Sequence, residues 1–290
     1  MSGSGGSTAQ VGSHRVCELK YVPVHHSKGQ QPLVRSLWQD RFVRRMVIAG
    51  DWHGDLQHAT FVVDRASFQG IDTVLQVGDF GFGWPGDDPR LLQRLSRRLV
   101  KRGVHLLFIR GNHDNTVWLD ELDRDEDGLA NAVPHVRYVP DGARFMVNGV
   151  RFGALGGARS VDRDLRTEGR DWWPGEEARP SDLERLGHDP LEILVTHEAP
   201  GLIPMVPPGH SQPAIPDGTR RLIDEAIERT RVRAVFHGHW HRRATSEILL
   251  PEGRRVRVEG LGMNGLADGD SVILDLQTLE VRPLPARTSP

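Results

Sequence analysis

Residues 46–49, Met-Val-Ile-Ala, run directly into Gly50-Asp51-Trp52-His53-Gly54-Asp55. The same pattern returns down the chain. Apolar runs end in Gly-Asp-Phe-Gly (78–81), Gly-Asn-His-Asp (111–114), Thr-His-Glu (196–198) and His-Gly-His-Trp-His (237–241). An apolar run of four to eight residues is the length of a buried strand. Each run therefore delivers a metal-ligand residue type at a strand end. If Asp51 and His53 continue the strand conformation, their side chains point the same way. His239 and His241 repeat that spacing, with Trp240 between them pointing the other way.

Strand and helix alternate from Met46 onward. The spacing of Leu56, Ala59, Val62, Val63 and Ala66 predicts a helix over 56–68, stopped at Gly70. A second strand is expected at 73–77. Asp88-Pro89 opens a second helix, with an acidic N-cap and proline at its first position. That helix runs through Leu91, Leu92, Leu95 and Leu99 to Gly103. Its polar face, Arg90, Arg94, Arg97, Arg98, Lys101 and Arg102, reads as a solvated basic face or as a surface for phosphate or nucleic acid. A third strand is expected at 104–109. Three β-α steps in a row point to parallel strands in an α/β fold, with ligand groups at the carboxyl ends.

The middle of the chain changes character. Strands are expected at 137–139, 144–147 and 150–152, the last two joined by an Asn148-Gly149 hairpin turn. Residues 157–181 are polar and rich in arginine and acid, and contain Trp172-Trp173-Pro174. They read as an ordered insertion or lid, its tryptophans either packed or stacking on a substrate. Further strands are expected at 191–195, 234–236, 248–250, 256–258 and 272–276, with a helix at 217–230. The organisation expected is an N-terminal extension over 1–42, one domain over 43–282 and a tail over 283–290. In the extension, 21–24 reads as a short edge strand. His14, His25 and His26 read as solvated histidines or as a tail metal site.

Composition sets limits. A net charge of −2 over 290 residues gives no whole-chain pull toward nucleic acid. The single cysteine, Cys17, excludes an intramolecular disulfide and suggests a reducing compartment. No apolar run is long enough to span a membrane, and the N-terminus lacks the order of a signal peptide. The expectation is a cytoplasmic protein without a membrane partner.

The candidate metal ligands are Asp51, His53, Asp79, Asn112, His197, His239 and His241. A tetrahedral zinc site takes about four ligands. This larger set fits two ions that share one ligand, held about 3.5–4 Å apart. Mixed nitrogen and oxygen donors without thiolate suit manganese, with iron or zinc as alternatives, better than calcium. Two such ions would lower the pKa of a bridging water, supply hydroxide near neutral pH and clamp phosphate oxygens. His113, beside Asn112, is the candidate general acid. Asp114 is its candidate orienting carboxylate, and Arg110 a candidate partner for a phosphate oxygen.

The set GDWHG, GDFG, GNHD, TH and GHWH resembles the calcineurin-like metallophosphoesterase superfamily, over roughly residues 45–245 and with every motif in family order. The resemblance implies a β-sandwich of two mixed sheets flanked by helices. It also implies that Asp51, His53 and His241 bind one metal, that Asn112, His197 and His239 bind the other, that Asp79 bridges, and that His113 serves the leaving group. Gly81-Phe82-Gly83-Trp84 stands where the protein Ser/Thr phosphatase branch carries an arginine-containing extension. Asp114 stands where that branch has glutamate. Both departures point away from a dedicated protein phosphatase, and the lack of an appended capping domain points away from a multidomain nucleotidase or large repair nuclease. The expected activity is two-metal hydrolysis of a small phosphodiester or phosphomonoester. A nuclease and a non-catalytic metal-binding module are the alternatives. The sequence leaves the oligomeric state open.

Overall fold

Successive side chains leave a strand on opposite faces, so a strand that is apolar throughout has to be covered on both sides. That rule sets the layers here. In β1 (Arg45–Ala49), Met46 and Ile48 enter one core cluster while Val47 and Ala49 enter another. The computed structural model describes residues 44–205, 218–266 and 269–285. The readings at 21–24 and at His14, His25 and His26 lie outside the described residues.

After β1 come α1 (Leu56–Phe68), β2 (Thr73–Gln76), α2 (Arg90–Arg102), β3 (His105–Phe108) and α3 (Thr116–Asp120). Next are β4 (Ala130–Val133), β5 (Val136–Tyr138), β6 (Arg144–Val147), β7 (Val150–Leu155) and α4 (Pro180–Leu186). The chain continues with β8 (Ile193–Thr196), α5 (Gly218–Thr230), β9 (Ala234–His237) and β10 (Ala244–Leu249). It closes with β11 (Arg255–Gly260), β12 (Ser271–Asp275) and β13 (Val281–Pro283).

Two mixed sheets result, flanked by helices. One has the order β13-β12-β1-β2-β3-β5-β4, the other β10-β11-β9-β8-β7-β6. β1, β2 and β3 are parallel in the first; β7, β8, β9 and β11 are parallel in the second. Side chains from both sheets, such as Ile48, Leu75 and Leu107 with Phe152, Val195 and Phe236, share one core cluster. On the outer face of the first sheet, Val74, Leu106 and Phe108 pack with Val62, Val63, Leu95 and Leu99 of α1 and α2. On the outer face of the second, Leu194 and Val235 pack with Leu183, Ile223 and Ile227 of α4 and α5.

Local signals hold at most boundaries. Asp55 caps α1 by accepting from the His58 backbone N–H, and Gly103 ends α2 in the left-handed region at φ 64°. α2 begins one residue later than expected, with Pro89 as its cap, although Asp88 Oδ1 still accepts from the Arg90 N–H at 3.0 Å. Asn148 and Gly149, at φ 48° and 82°, turn β6 into β7. The insertion is irregular apart from a 3-10 turn at Arg163–Leu165, and gives way to α4 at Pro180. The short elements α3, α4, β4 and β13 go beyond what the sequence pattern predicts.

Candidate metal centre

The candidate ligands leave the carboxyl ends of parallel strands in both sheets. Asp51 follows β1, Asp79 follows β2, Asn112 follows β3, His197 follows β8, and His239 and His241 follow β9. Among the described residues, one ligand atom from each of Asp51, His53, Asp79 and His241 lies within 4.8 Å of all the others. His241 Nε2 is 3.1 Å from Asp51 Oδ2. Asn112, His197 and His239 lie outside that group but adjoin it through Asp79. Asp79 Oδ2 lies 3.4 Å from His53 Nε2, and Asp79 Oδ1 lies 3.3 Å from His197 Nε2. His197 Nε2 is in turn 3.0 Å from Asn112 Oδ1. The His197 and His239 rings stand 5.1 Å apart.

The strand pleat does not align these pairs. β1 ends at Ala49 and β9 at His237, before the ligands. His53, Asp79, His239 and His241 all take positive φ, at 46°, 53°, 63° and 51°. Non-glycine residues are costly there, so tight turns, not an extended run, aim these side chains. The close approach also demands glycine. A Cβ on Gly238 would stand 2.0 Å from Asp51 Oδ1, and one on Gly111 would stand 2.1 Å from Asp79 Oδ1.

Neighbours fix which ring nitrogen faces the centre. His53 Nδ1–H donates to Asn264 Oδ1 at 2.9 Å, and Asn264 Nδ2 donates to Asp55 Oδ2 at 3.2 Å. His197 Nδ1–H donates to the Val77 carbonyl at 2.9 Å. Each turns Nε2 toward the centre, where it can ligate once its proton is displaced. His239 Nε2 instead lies 3.4 Å from Glu198 Oε2, the carboxylate partner typical of a metal-binding imidazole. Glu198 is held by Trp240 Nε1 and the Ala199 N–H. Asn112 Nδ2 donates to Ser160 Oγ at 2.9 Å, which donates to buried Glu176. That orders the amide so that its oxygen faces His197.

The electrostatics revolve around Asp79. Burial works against its charge, yet His197 and His53 hold its carboxyl well below the usual range. Burial alone would lower both imidazoles. Asp79 outweighs it and raises His53 to about 9 and His197 to about 10. Burial, with the charge of His197, pushes His239 down to about 4. Asp79 Oδ2 is buried without a hydrogen-bond partner. A buried, unsatisfied carboxylate oxygen among imidazole nitrogens is what a divalent cation would satisfy, so the donor set fits divalent metal.

His113 borders the centre, its Nε2 4.0 Å from Asp79 Oδ2 and its ring 6.0 Å from that of His53. Asp114, expected to orient His113, and Arg110, expected to meet a phosphate oxygen, both have other partners in this structure. Asp114 accepts from the backbone N–H groups of Phe80, Gly81 and Gly111 at 2.7–3.1 Å, so it staples two loops together and leaves His113 alone. Arg110 is buried. Its guanidinium pairs with Asp141 and donates to the carbonyls of Gly175, Glu176 and Glu177, so it anchors the insertion. The cation at His113 is Arg166, from the insertion. Its Nη1 lies 2.6 Å from His113 Nδ1, and its Nη2 2.8 Å from Asp162 Oδ2. Of the tryptophans, Trp173 is buried edge-on against Trp84, while Trp172 lies under the Arg163 guanidinium at 4.7 Å. His58, which the helix pattern places on the polar side of α1, points at Asp270, 3.4 Å away. Glu198 is visible in the sequence beside His197, but Ser160, Arg166, Glu176 and Asn264 carry no sequence signal of their role.

These strand-end loops, the two mixed sheets and the donor set define a metallophosphoesterase. Residues 44–243 match the calcineurin-like phosphoesterase family, and the chain belongs to it. An uncharacterised protein of Haemophilus influenzae is 30% identical over 103 residues, which cover 36% of this chain and 38% of that protein. The match thus spans well under half of that relative. A protein of Thermus thermophilus shares the fold at a TM-score of 0.51 and 16% identity, over 83% of this chain and 98% of its own. A dimetal phosphatase from Danio rerio does so at a TM-score of 0.50 and 12% identity, over 83% and 96%. Family and site together support divalent-metal binding.

Proposed function

We propose that this protein hydrolyses a small phosphodiester or phosphomonoester with two divalent ions, manganese first among them. Asp51, His53 and His241 would hold one ion, Asn112, His197 and His239 the other, and Asp79 both. One observation carries this reading: the two oxygens of Asp79 face different ligands, Oδ2 toward His53 and Oδ1 toward His197. The relation to a dimetal phosphatase agrees with it. When bound, such ions activate water as a nucleophile near neutral pH and neutralise phosphate oxygens.

The chain's own residues do the rest. His113 is the general acid, and its Nε2 faces the centre. Arg166 takes the phosphate-neutralising role that the sequence suggested for Arg110. Burial lowers the His113 pKa against the pull of Asp79, and the Arg166 guanidinium, 2.6 Å from Nδ1 and 3.3 Å from Nε2, lowers it further. Proton transfer from His113 therefore requires Arg166 to shift from the imidazole onto the substrate phosphate. The pocket here holds about 220 Å³ and is lined by His53, Phe82, Trp84 and His113, among others, room for a small ester group.

The test is turnover of an aryl phosphodiester beside an aryl phosphomonoester, with manganese and then with chelator. Manganese-dependent turnover is expected. No turnover of either by protein shown to carry metal would shift the reading to a non-catalytic binding module.

A further inference from the structure

We propose that the groove between α1 and α2 is a track for single-stranded nucleic acid whose scissile phosphodiester lies at the metal centre. The proposal rests on the metal-dependent hydrolase reading and takes the nuclease alternative for its substrate in place of a small ester.

The first support is continuity. A groove of about 770 Å³ is lined by Leu56, Gln57 and Thr60 of α1 and by Leu91, Arg94, Arg97, Arg98 and Lys101 of α2. Leu91 is also a wall of the pocket at the metal centre. The other wall begins at Leu56, only a short turn after His53. The groove thus leads away from the centre along two helices.

Charge is the second support. Arg98 and Arg102 are held by Asp64 of α1. Arg94, Arg97 and Lys101 are exposed and make no hydrogen bond or ion pair among the described residues. Arg90 with Arg94, Arg94 with Arg98, Arg97 with Lys101 and Arg98 with Arg102 are like charges four apart, each opposing the helix. A chain of net charge −2 concentrates these cations on one face against that repulsion. An anion in the groove would relieve it.

Shape and chemistry then select the anion. From Leu91 to Lys101, α2 rises about 15 Å. That length serves several phosphates, not one, at about 3.4 Å or more per nucleotide. Half-buried Trp84 lines the pocket that shares Leu91 with the groove, and its Nε1 lacks a hydrogen-bond partner. A basic groove beside a partly exposed aromatic face binds single strands with little sequence preference. The pocket of about 220 Å³ has room for one backbone phosphodiester of such a strand.

Fluorescence anisotropy with labelled DNA and RNA single strands carrying non-hydrolysable linkages, titrated over salt, tests this on the manganese-loaded protein. Each phosphate contact contributes about 0.7 to the slope of log affinity against log salt. The triple variant R94Q/R97Q/K101Q should flatten that slope by about 2 and lose about tenfold or more in affinity at low salt. A charge-matched control, R221Q/R233Q/R282Q, should change neither, and thermal melting of both variants checks the fold. Unchanged binding in the groove variant overturns the proposal, as does equal loss in both variants or tighter binding of a duplex. Aryl phosphodiester turnover by the wild-type protein reports separately. Absence of turnover on the aryl phosphomonoester as well, beside groove-dependent strand binding, would sink the hydrolase reading and with it the scissile phosphodiester, and would leave only strand binding in the groove.

Discussion

The strand-end loops and the insertion at 157–181 reach the same centre by different means. Asp51, Asp79, Asn112, His197 and His239 stand within a few residues of buried strands, on turns pinned by backbone hydrogen bonds such as Trp52 N to the Asp79 carbonyl at 3.0 Å. Ser160, Arg166 and Glu176 stand on irregular chain whose anchors are side chains. Arg110 grips its carbonyls, and Asp162 holds Arg166. The first region supplies donors that a metal needs. The second orients Asn112 and supplies a cation at His113. The candidate ligands thus stand on strand-end turns, and the groups beside them on a segment held by the Arg110 side chain and a few backbone hydrogen bonds.

If that division is right, substitutions in the two regions should fail differently. His113→Ala should cut turnover by about 10²–10⁴-fold, the usual worth of a positioned acid, while metal content measured by elemental analysis stays at the wild-type level. Loss of metal in this variant would return His113 to the ligand set. Arg166→Ala should cost about 10–100-fold, the range of a hydrogen bond to a charged group, mostly as a raised KM, with Arg166→Lys recovering part of it. An unchanged KM would show that the insertion brings no cation to the substrate. Ser160→Ala frees the Asn112 amide and should weaken metal binding by about tenfold, the low end for a group that orients a ligand. Calorimetric metal titration reads that directly, and an unchanged affinity would detach the insertion from the centre. Arg110→Ala should have the smallest effect on turnover per folded molecule. Its cost falls on stability, about 3 kcal/mol, because Asp141 keeps only the Gly156 N–H and the carbonyls of Gly175, Glu176 and Glu177 lose their donor. A denaturant melt beside kinetics separates the two. A large kcat loss in folded protein would restore Arg110 to the site.

The same contrast explains what is legible in the sequence. The ligand residues are visible because an apolar run followed by Gly-Asp or His is a local pattern, and α1 is legible to its ends from spacing and a capping aspartate. Arg110 and Asp114 mislead for a local reason too. Both flank Asn112-His113, but adjacency says nothing of which way a side chain turns at the end of a strand, and both turn toward backbone. Arg166 leaves no trace because its partner His113 is 53 positions away. The strand-pleat rationale for the paired ligands fails, since positive φ at His53 and His241 breaks the extended run. Short elements such as β4 and α3 escape because so few residues carry no periodicity.

The pH dependence follows from the same geometry. In the metal-free protein His53 and His197 are raised to about 9 and about 10, so both hold protons at neutral pH. Metal has to displace those protons. Affinity should therefore fall as pH falls, and metal titration in buffers of different ionisation enthalpy should detect proton release. Binding without proton release would mean that these imidazoles are not ligands.

The most direct test of the central claim is the number of manganese ions bound per chain, measured by native mass spectrometry on wild-type protein and on Asp79→Asn. A carboxylate shared by two ions predicts two per chain in the wild type and weakened retention of both in the variant. One ion per chain in the wild type, or a variant that still holds two as tightly, would contradict it.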